Sequence, residues 1–536
     1  MGGELRADTA AGTDVPTVAR SAAGMGLAAA VSRGFGALRV LVIAAVLGTT
    51  NLGNAFQGSN SFSNVLFELL AAGALSAVLV PTFAGLLGDR GELERLARQL
   101  LGVATVVLGG VTLVALLAAP WIASLLSSEV ADERIAQDQQ RLTVVLLWFF
   151  IPQVVLYGFG AVATALLQAQ RRFLVPAAAP IGNTVVMVGF LLAFRAVAGP
   201  APGLVLSGAE QLLLGLGGTL GVVAFVAAPV VAAHRGGLGL WPRFRWDHPQ
   251  LRSVLGLSGW ASLQHAFAAL LLAATTVVGG GVEGGVVAYQ VGWFFFLAPY
   301  GIIAQPLHTA ILNELVEEHA AGRHDAFGAS LRWALDSMAV ALVPLTALAV
   351  ALAVPAMRVA AFGESATQAG VGLLAAALAS LSLGLLPYGA FFLLSRAWYA
   401  LGDSRTPAMA GGLSCVAGVI AMVVAGRLTE GSATVYALGA AHSAAFLLGS
   451  SILAVALRRR TGSWPTPPVL GRVLAVAVPL GLAMWFAADA WDPSGRPASL
   501  LTVAVVGGLG TVLYLAGMRL AGVRVSTRLP RAGMAS

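Results

Sequence analysis

The sequence predicts an all-α polytopic membrane protein with about 14 transmembrane helices, arranged as two parallel six-helix lobes followed by two C-terminal helices. Composition, the spacing of apolar segments and an internal repeat lead to this prediction. Of 536 residues, 58% are hydrophobic and only 10% are charged, and the mean hydropathy is +0.85. Soluble domains average about 45–50% apolar and about 25% charged residues. The chain is therefore expected to lie in a lipid bilayer.

A helix needs about 20 mostly apolar residues to cross the hydrocarbon core. Fourteen segments meet this requirement, near residues 25–47, 65–88, 100–125, 143–168, 175–197, 211–233, 254–278, 286–311, 333–354, 368–395, 408–426, 433–457, 472–488 and 498–519. Prolines inside several of them are compatible with a membrane helix, because neighbouring helices satisfy the freed backbone groups.

The basic residues are distributed unevenly between the two sets of loops. All 31 are arginines: two lie inside the first span, six follow odd-numbered spans, and 23 follow even-numbered spans or lie in the tails. Cytoplasmic loops carry an excess of basic residues, so both termini are predicted to face the cytoplasm. The net charge of +7 then reflects attraction to an anionic membrane leaflet and predicts no nucleic-acid partner.

These spans divide the chain into six parts. They are a flexible cytoplasmic tail (1–24), a first lobe (25–233), a cytoplasmic interfacial linker (234–253), a second lobe (254–457), a final helix pair (458–519) and a second cytoplasmic tail (520–536).

An internal repeat relates the two lobes. Tyr157-Gly158, Ala169 and Pro176-Ala177 recur as Tyr388-Gly389, Ala400 and Pro407-Ala408, always 231 residues further on. A shift of six helices preserves orientation, so the lobes are predicted to be parallel and related by an axis along the membrane normal. Two such lobes facing each other across a central cavity are typical of transporters.

Motifs of enzymes and of metal sites are missing from the sequence. It contains no G-x-x-x-x-G-K-[ST], H-E-x-x-H or G-x-S-x-G, and its seven histidines are scattered. The loop at 49–64 lacks the carboxylates expected of a polyprenyl-dependent glycosyltransferase, and the single Cys415 has no partner for a disulfide or a zinc site. We therefore expect no enzymatic activity, no metal and no cofactor.

Two cations interrupt the first span. An arginine near the centre of a membrane helix costs about 2.5–3.5 kcal/mol on insertion scales unless it reaches water or a partner. Arg33 and Arg39 are six residues apart, which places them about 120° apart around the helix and about 9 Å apart along it. Either they bind an anion from one broad polar face, or they form an interhelical ion pair with Glu68.

Other polar residues inside the spans are weaker candidates. Glu68 is a counter-ion for the arginines, a proton or cation site, or a structural partner. His265 in the seventh span lines the cavity or is a packing residue. Asn54, Asn64 and Gln290 bind sugar hydroxyls or connect helices by hydrogen bonds.

Four motifs resemble the MurJ/MviN family of the multidrug/oligosaccharidyl-lipid/polysaccharide exporter superfamily. They are S-R-G-F-G-x-x-R from Ser32, N-x-L-x-x-x-x-A-x-G-A-x-S-x-x-x-V-P from Asn64, R-F-x-x-P-A-x-A-P from Arg172 and Y-A-x-G-D-x-R-T-P from Tyr399. The likeness covers nearly the whole chain, including the final helix pair.

The resemblance implies a lipid II flippase of the bacterial cytoplasmic membrane. Such a protein moves the undecaprenyl-pyrophosphate-linked peptidoglycan precursor by alternating access. Arg33 and Arg39 match the family's two first-span arginines, which are thought to engage the pyrophosphate, and the last two helices are thought to form a groove for the lipid tail. The implied partners are the lipid-linked saccharide, membrane lipids and other proteins of cell-wall synthesis.

The sequence departs from the family pattern at several charged positions. Asn54 stands where the family has an acidic residue, and Ser61 stands where it has a lysine. Phe67 and Glu68 replace a pair of arginines, Ala72 replaces a second acidic residue, and Phe294 replaces the eighth-span arginine. The resemblance therefore implies a less positive cavity. A flippase for another polyprenyl-linked saccharide, a cation-coupled small-molecule exporter of the same superfamily and a non-transporting scaffold remain alternatives.

Overall fold

A computed structural model describes residues 15–69, 73–245, 247–249, 259–462, 467, 469–491 and 494–523. Most of these residues are helical, and none of them forms a β-strand. The first half contains α1 (Val15–Leu47), α2 (Asn51–Phe67), α3 (Gly73–Gly85), α4 (Arg90–Leu117), α5 (Ala119–Leu126), α6 (Glu133–Phe150), α7 (Gln153–Ala169), α8 (Leu174–Ala198) and α9 (Gly208–Arg235).

The second half follows the linker. It contains α10 (Gly259–Gly279), α11 (Gly285–Pro299), a π-helical segment (Tyr300–Ala304), α12 (Gln305–Ala320), α13 (His324–Ala351), α14 (Ala353–Ala360), α15 (Gln368–Ser382), α16 (Leu385–Ala400), α17 (Arg405–Leu428) and α18 (Gly431–Thr461). The final pair is α19 (Leu470–Trp491) and α20 (Arg496–Leu520).

The N-terminal boundary differs from the prediction. Helix α1 begins at Val15, so residues 15–24, predicted as part of a flexible tail, are helical. Proline in the first turn and three alanines favour a helix there. The predictions for 1–14, for 250–253 of the linker and for 524–536 of the second tail lie outside the described residues.

The predicted count of fourteen spans is not confirmed. Among the described residues, eleven helical segments are long and apolar enough to cross a membrane, or twelve if the bent pair α15–α16 is one span. The segment 51–85 is not among the eleven, because it is divided between α2 and α3, which have 17 and 13 residues.

The order of helices agrees with the predicted repeat. Helices α4 to α9 recur in the same order as α13 to α18, including the short α5, which corresponds to α14. The second span is broken in both halves: π-helical turns follow α2 at residues 68–69 and α11 at Tyr300–Ala304. Isolated π turns inside helices occur frequently at functional sites, so these two breaks mark positions of interest.

Each half has its own apolar core, and the final helix pair packs on the second half. Leu96 and Leu166 are fully buried in the first half, and Met338 and Leu394 are fully buried in the second. The Tyr514 hydroxyl of α20 donates a hydrogen bond of 2.9 Å to the Val340 carbonyl of α13.

The linker between the halves is fixed to the end of α4. Gln99 is fully buried; its Nε2 donates to Asp247 Oδ1 and its Oε1 accepts from the His248 amide at 3.1 Å. Arg95 forms an ion pair with Asp247 at 3.1 Å. A Cβ atom at Gly102 would collide with the Arg243 carbonyl, so only glycine permits the linker to approach α4 this closely.

The Asp247 carboxylate is stabilised by these contacts. The hydrogen bond from Gln99 and the Arg95 guanidinium hold the pKa of Asp247 below its usual range. A lowered folded-state pKa favours the folded state above the unfolded pKa, and the effect is lost as the pH falls through the folded value. The contact is therefore expected to persist at neutral pH and to weaken below pH about 4.

We expect Gln99→Ala to release the linker, because it removes both hydrogen bonds and leaves their partners unsatisfied, at a cost of about 1–3 kcal/mol. Limited trypsin digestion should cleave after Arg243 and Arg245 faster than in the parent protein. Thr105→Ala is the matched control, since Thr105 on the same helix bonds only to Leu101 of that helix. Equal cleavage rates in the two variants would contradict the assignment.

Candidate substrate-binding site

Helix α1 lies between the two halves and carries both predicted arginines. It packs against α8 of the first half and α11 of the second. Arg33 is exposed, and its Nη2 donates a hydrogen bond of 3.1 Å to the carbonyl oxygen of Gly301 in the π-helical segment. Arg33 therefore connects the halves through a neutral acceptor.

Arg39 lies deeper, at a position surrounded by protein. It keeps some accessible surface, and it is close enough to Tyr157 of α7 for their charges to interact. Tyr157 is the first-half member of the repeated Tyr-Gly pair. No ion pair or hydrogen bond of Arg39 is found among the described residues.

Glu68 lies at the π-helical turn that ends α2. Its surface is exposed although protein surrounds most of the side chain, and Tyr388 of α16 is within electrostatic range. Within the part of the chain that the structure describes, Glu68 forms no ion pair with Arg33 or Arg39. The interhelical ion pair considered from sequence is therefore not formed in this conformation.

Residues from both halves meet in one region. Arg39 lies near Tyr157 of the first half, and Glu68 of the first half lies near Tyr388 of the second. We call the region between the halves that contains Arg39, Glu68, Tyr157, Tyr388 and His265 the internal space; protein surrounds each of these side chains, and each keeps accessible surface.

The second-half wall of this space is aromatic. The ring of Tyr388 lies 4.8 Å from the rings of both Tyr300 and Phe392, and Phe392 stacks on His265 at 6.4 Å. Aromatic rings in such edge and stacked arrangements are held rigidly. His265 is thus positioned by ring packing, the second of the roles that the sequence allowed.

The predicted amide residues already have partners. Asn54 is buried and connects the halves: its Nδ2 donates to the Val282 carbonyl at 2.7 Å and its Oδ1 accepts from the Val286 amide at 3.0 Å. Gln290 Nε2 donates to Ser61 Oγ at 3.0 Å, also between the halves. Asn64 Nδ2 donates to the Asn60 carbonyl of its own helix at 3.2 Å. In this conformation Asn54 and Gln290 connect helices, the second of the roles considered from sequence.

Further contacts connect the halves at one end of the molecule. Arg195 at the end of α8 pairs with Glu364, between α14 and α15, at 2.9 Å, and the Ala201 amide donates to Glu364 Oε1 at 3.3 Å. Gly284, with φ of 74°, lies against Thr49 so closely that no Cβ fits between them. The arginine distribution predicts this end to be extracytoplasmic.

Comparison with known proteins identifies the family. The family model described as "Lipid II flippase MurJ" matches residues 43–505. The chain belongs to the lipid II flippase MurJ family. A probable lipid II flippase MurJ of Vibrio cholerae is 24% identical over 92% of this chain and 94% of its own length. That of Synechocystis sp. is 27% identical over 71% of each chain.

A solved structure shows the same fold. It is a lipid II flippase MurJ in an inward closed conformation, with a TM-score of 0.73 and 17% identity over 92% of this chain and 98% of that chain. The resemblance inferred from the four motifs is thereby confirmed, as is the all-helical membrane fold. Among the described residues of this MurJ family member, no group of three or more His, Cys, Asp or Glu side chains could hold a metal ion.

Sequence reasoning missed several residues of the site in this MurJ family member. Tyr157, Tyr300 and Tyr388 border the internal space, and Arg396 lies on the same face of α16 as Tyr388. The spacing Tyr388, Phe392, Arg396, Tyr399 follows one helical face and was the available signal.

The Arg195–Glu364 pair gives a test of the closed end. In a Cys415→Ala background with Ser63→Cys, we expect slow reaction with a membrane-impermeant thiol reagent, because Ser63 is fully buried on α2 and takes no part in the contacts between the halves. Glu364→Arg should accelerate labelling severalfold by placing like charges together, and Arg195→Glu combined with Glu364→Arg should restore slow labelling.

Glu430→Ala serves as the control, since Glu430 is an exposed carboxylate at the same end that forms no ion pair among the described residues. Fast labelling in the double charge reversal would show that the ion pair does not hold this end closed.

Proposed function

We propose that the protein is a flippase that moves lipid II across the bacterial cytoplasmic membrane by alternating access. One observation carries the proposal: the π-helical segment faces a cation site on one side and an apolar groove on the other. Its Gly301 carbonyl accepts from Arg33, and Ile302 and Ile303 line the groove. Such a segment suits a substrate with an anionic headgroup and a long apolar tail.

The cation site suits the pyrophosphate of the headgroup. Guanidinium groups bind phosphate oxygens with two parallel hydrogen bonds, and such charge-assisted bonds are about twice as strong as neutral ones. Arg39 has unoccupied donors beside the internal space. Arg33 donates only to a neutral carbonyl, which a phosphate oxygen would replace favourably. Glu68 at the edge of the same space modulates the charge that the substrate meets.

The groove suits the polyprenyl tail. It is a cavity of about 780 Å³ between α11, the π-helical segment, α13 and α20. Its walls are almost entirely apolar, including Phe295, Leu348 and Val503. This supports the role in tail binding that the family resemblance gave to the final helix pair.

The contacts between the halves support alternating access. Asn54, Gln290 and the Arg195–Glu364 pair hold the halves together at the end predicted to be extracytoplasmic. With both termini in the cytoplasm, this conformation would be closed toward the outside. Transport then requires that these contacts break while the opposite ends of the halves approach each other. Other proteins of cell-wall synthesis are proposed as partners that supply or consume the lipid.

We expect the gene to rescue a bacterial strain depleted of its own lipid II flippase, and Arg39→Ala to abolish rescue. Loss of charge-assisted hydrogen bonds worth about 1.5–3 kcal/mol should reduce headgroup affinity about tenfold or more. Arg39→Lys retains the charge but not the planar guanidinium group. An intermediate rate of lipid II translocation is therefore expected. The measurement is growth together with accessibility of lipid II at the outer surface of the membrane.

Arg235→Ala is the control, because Arg235 is exposed at the end of α9, away from the internal space. Membrane levels of each variant are compared by immunoblot. Full lipid II translocation by both Arg33→Ala and Arg39→Ala would contradict the proposed site, and absence of rescue by the correctly inserted parent protein would contradict the proposed substrate.

A further inference from the structure

Arg396 has an unusual position for an arginine near the end of a membrane helix. It lies one turn before the end of α16 at Ala400, and it is half-buried rather than exposed. Tyr388, Phe392 and Arg396 follow one another at intervals of four residues, so they share one face of α16. That face borders the internal space at Tyr388. The guanidinium is therefore directed toward the inside of the molecule.

The neighbours of Arg396 come from four different elements, including His308 of α12. Tyr300 of the π-helical segment, His265 of α10 and Tyr399 of α16 are all within electrostatic range of its guanidinium. Tyr300 and His265 both pack against Phe392, one turn away from Arg396, at 6.4 Å between ring centroids. These contacts place Arg396 on the aromatic wall of the space.

Among the residues with described positions, no carboxylate forms an ion pair with this cation. In the part of the chain that the structure describes, Arg396 forms no ion pair and no hydrogen bond. Asp403, an acidic residue shortly after it in sequence, accepts hydrogen bonds from the Thr406 amide and hydroxyl and pairs with Arg460 at 3.6 Å. A half-buried guanidinium without a counter-ion is a suitable site for an external anion.

The surrounding side chains fix the shape of this site. The Tyr399 hydroxyl donates to Gln264 Oε1, and Gln264 Nε2 donates to Ser395 Oγ at 2.9 Å. Gln264 is buried. This chain of hydrogen bonds holds Tyr399 beside Arg396 and engages the proton of the Tyr399 hydroxyl. The Tyr300 hydroxyl has no partner among the described residues, so it remains available as a donor.

We propose that Arg396 and the Tyr300 hydroxyl form a second anion subsite, on the second-half side of the internal space, that takes a phosphate or carboxylate group of the lipid-linked headgroup. The proposal rests on the proposed function and adds a binding residue to it. It also accounts for a departure from the family pattern, since Phe67, Glu68 and Phe294 occupy positions at which the resemblance implied arginines. Arg396 supplies a cation from another helix.

The two subsites would lie on opposite halves. Arg33 and Arg39 belong to α1, and Arg396 belongs to α16. A headgroup held by both would bridge the halves on the side opposite to the contacts of Asn54 and Glu364. Binding would therefore bring together the ends of the halves that lie opposite the contacts of Asn54 and Glu364. Those ends must approach each other before these contacts break.

The test measures binding to the purified full-length protein and variants in detergent. Farnesyl diphosphate provides phosphates without carboxylates, and muramyl dipeptide provides a carboxylate without phosphates. We expect Arg396→Ala to weaken at least one of them about tenfold or more, Tyr300→Phe to weaken the same probe about threefold, and Arg396→Lys to retain most of the affinity. The probe affected identifies the group bound. A decrease in affinity with rising salt is expected for the parent.

Arg459→Ala is the matched control, because Arg459 is an exposed arginine in the last turn of α18, at the same end of the molecule. Thermal unfolding of each variant verifies folding, and Arg396→Lys separates the charge from the packing of the side chain. Unchanged affinity of Arg396→Ala for both probes, or failure of the parent to bind either probe, would overturn the subsite.

Rescue of the flippase-depleted strain distinguishes this proposal from the proposed function. If the parent rescues growth and Arg396→Ala rescues it equally with unchanged affinity for both probes, the subsite is refuted and the flippase function stands. If the parent does not translocate lipid II while its affinity for a probe depends on Arg396, the function is refuted and the subsite stands.

Discussion

The protein depends on keeping guanidinium groups inside the membrane without exposing them to lipid. A charged side chain at the bilayer centre is tolerated when it faces water, a partner or the interior of a bundle. Arg39 satisfies this condition because protein surrounds it and Tyr157 lies nearby. The interface between the two halves is therefore the place where these cations are accommodated.

The repeat gives the two halves equivalent elements with different side chains. Both halves break their second span at a π-helical turn, with Glu68 at the first break and Tyr300 at the second. The repeated tyrosines, Tyr157 and Tyr388, both border the internal space. The first half adds arginines on α1, whereas the second half adds an aromatic wall and Arg396. A symmetric framework thus encloses an asymmetric site, as an asymmetric headgroup requires.

The sequence predicted the fold and pointed to part of the candidate site. Hydropathy located most spans, and the offset of 231 residues located the repeat, because both signals persist over many residues. A charge inside an apolar span is costly, so Arg33 and Arg39 were conspicuous. Arg396 was assigned to a cytoplasmic loop instead, because it lies one turn from a helix end and many such arginines reach solvent. Only the tertiary packing shows that its face of α16 is turned inward.

The roles of amide residues were less predictable for a different reason. An amide donates and accepts equally well toward a sugar, a backbone or another side chain, so Asn54 and Gln290 were compatible with substrate binding or with helix packing. The partner is decided by which helices become neighbours. The π-helical breaks were also absent from the prediction, because their residues have the same apolar composition as the helices on either side.

The strength of the contacts between the halves suits a reversible transition. A typical hydrogen bond contributes about 0.5–1.5 kcal/mol net, and a partly exposed ion pair contributes about 1 kcal/mol or less. The bonds of Asn54, Gln290 and Arg33, together with the Arg195–Glu364 pair, thus supply only a few kcal/mol. Reversing a two-state population from 1:99 to 99:1 requires about 5.5 kcal/mol of differential binding. A substrate that forms charge-assisted bonds with arginines of both halves in one state only would provide energy of that order. The contacts that close the molecule are therefore weak enough for its ligand to open it.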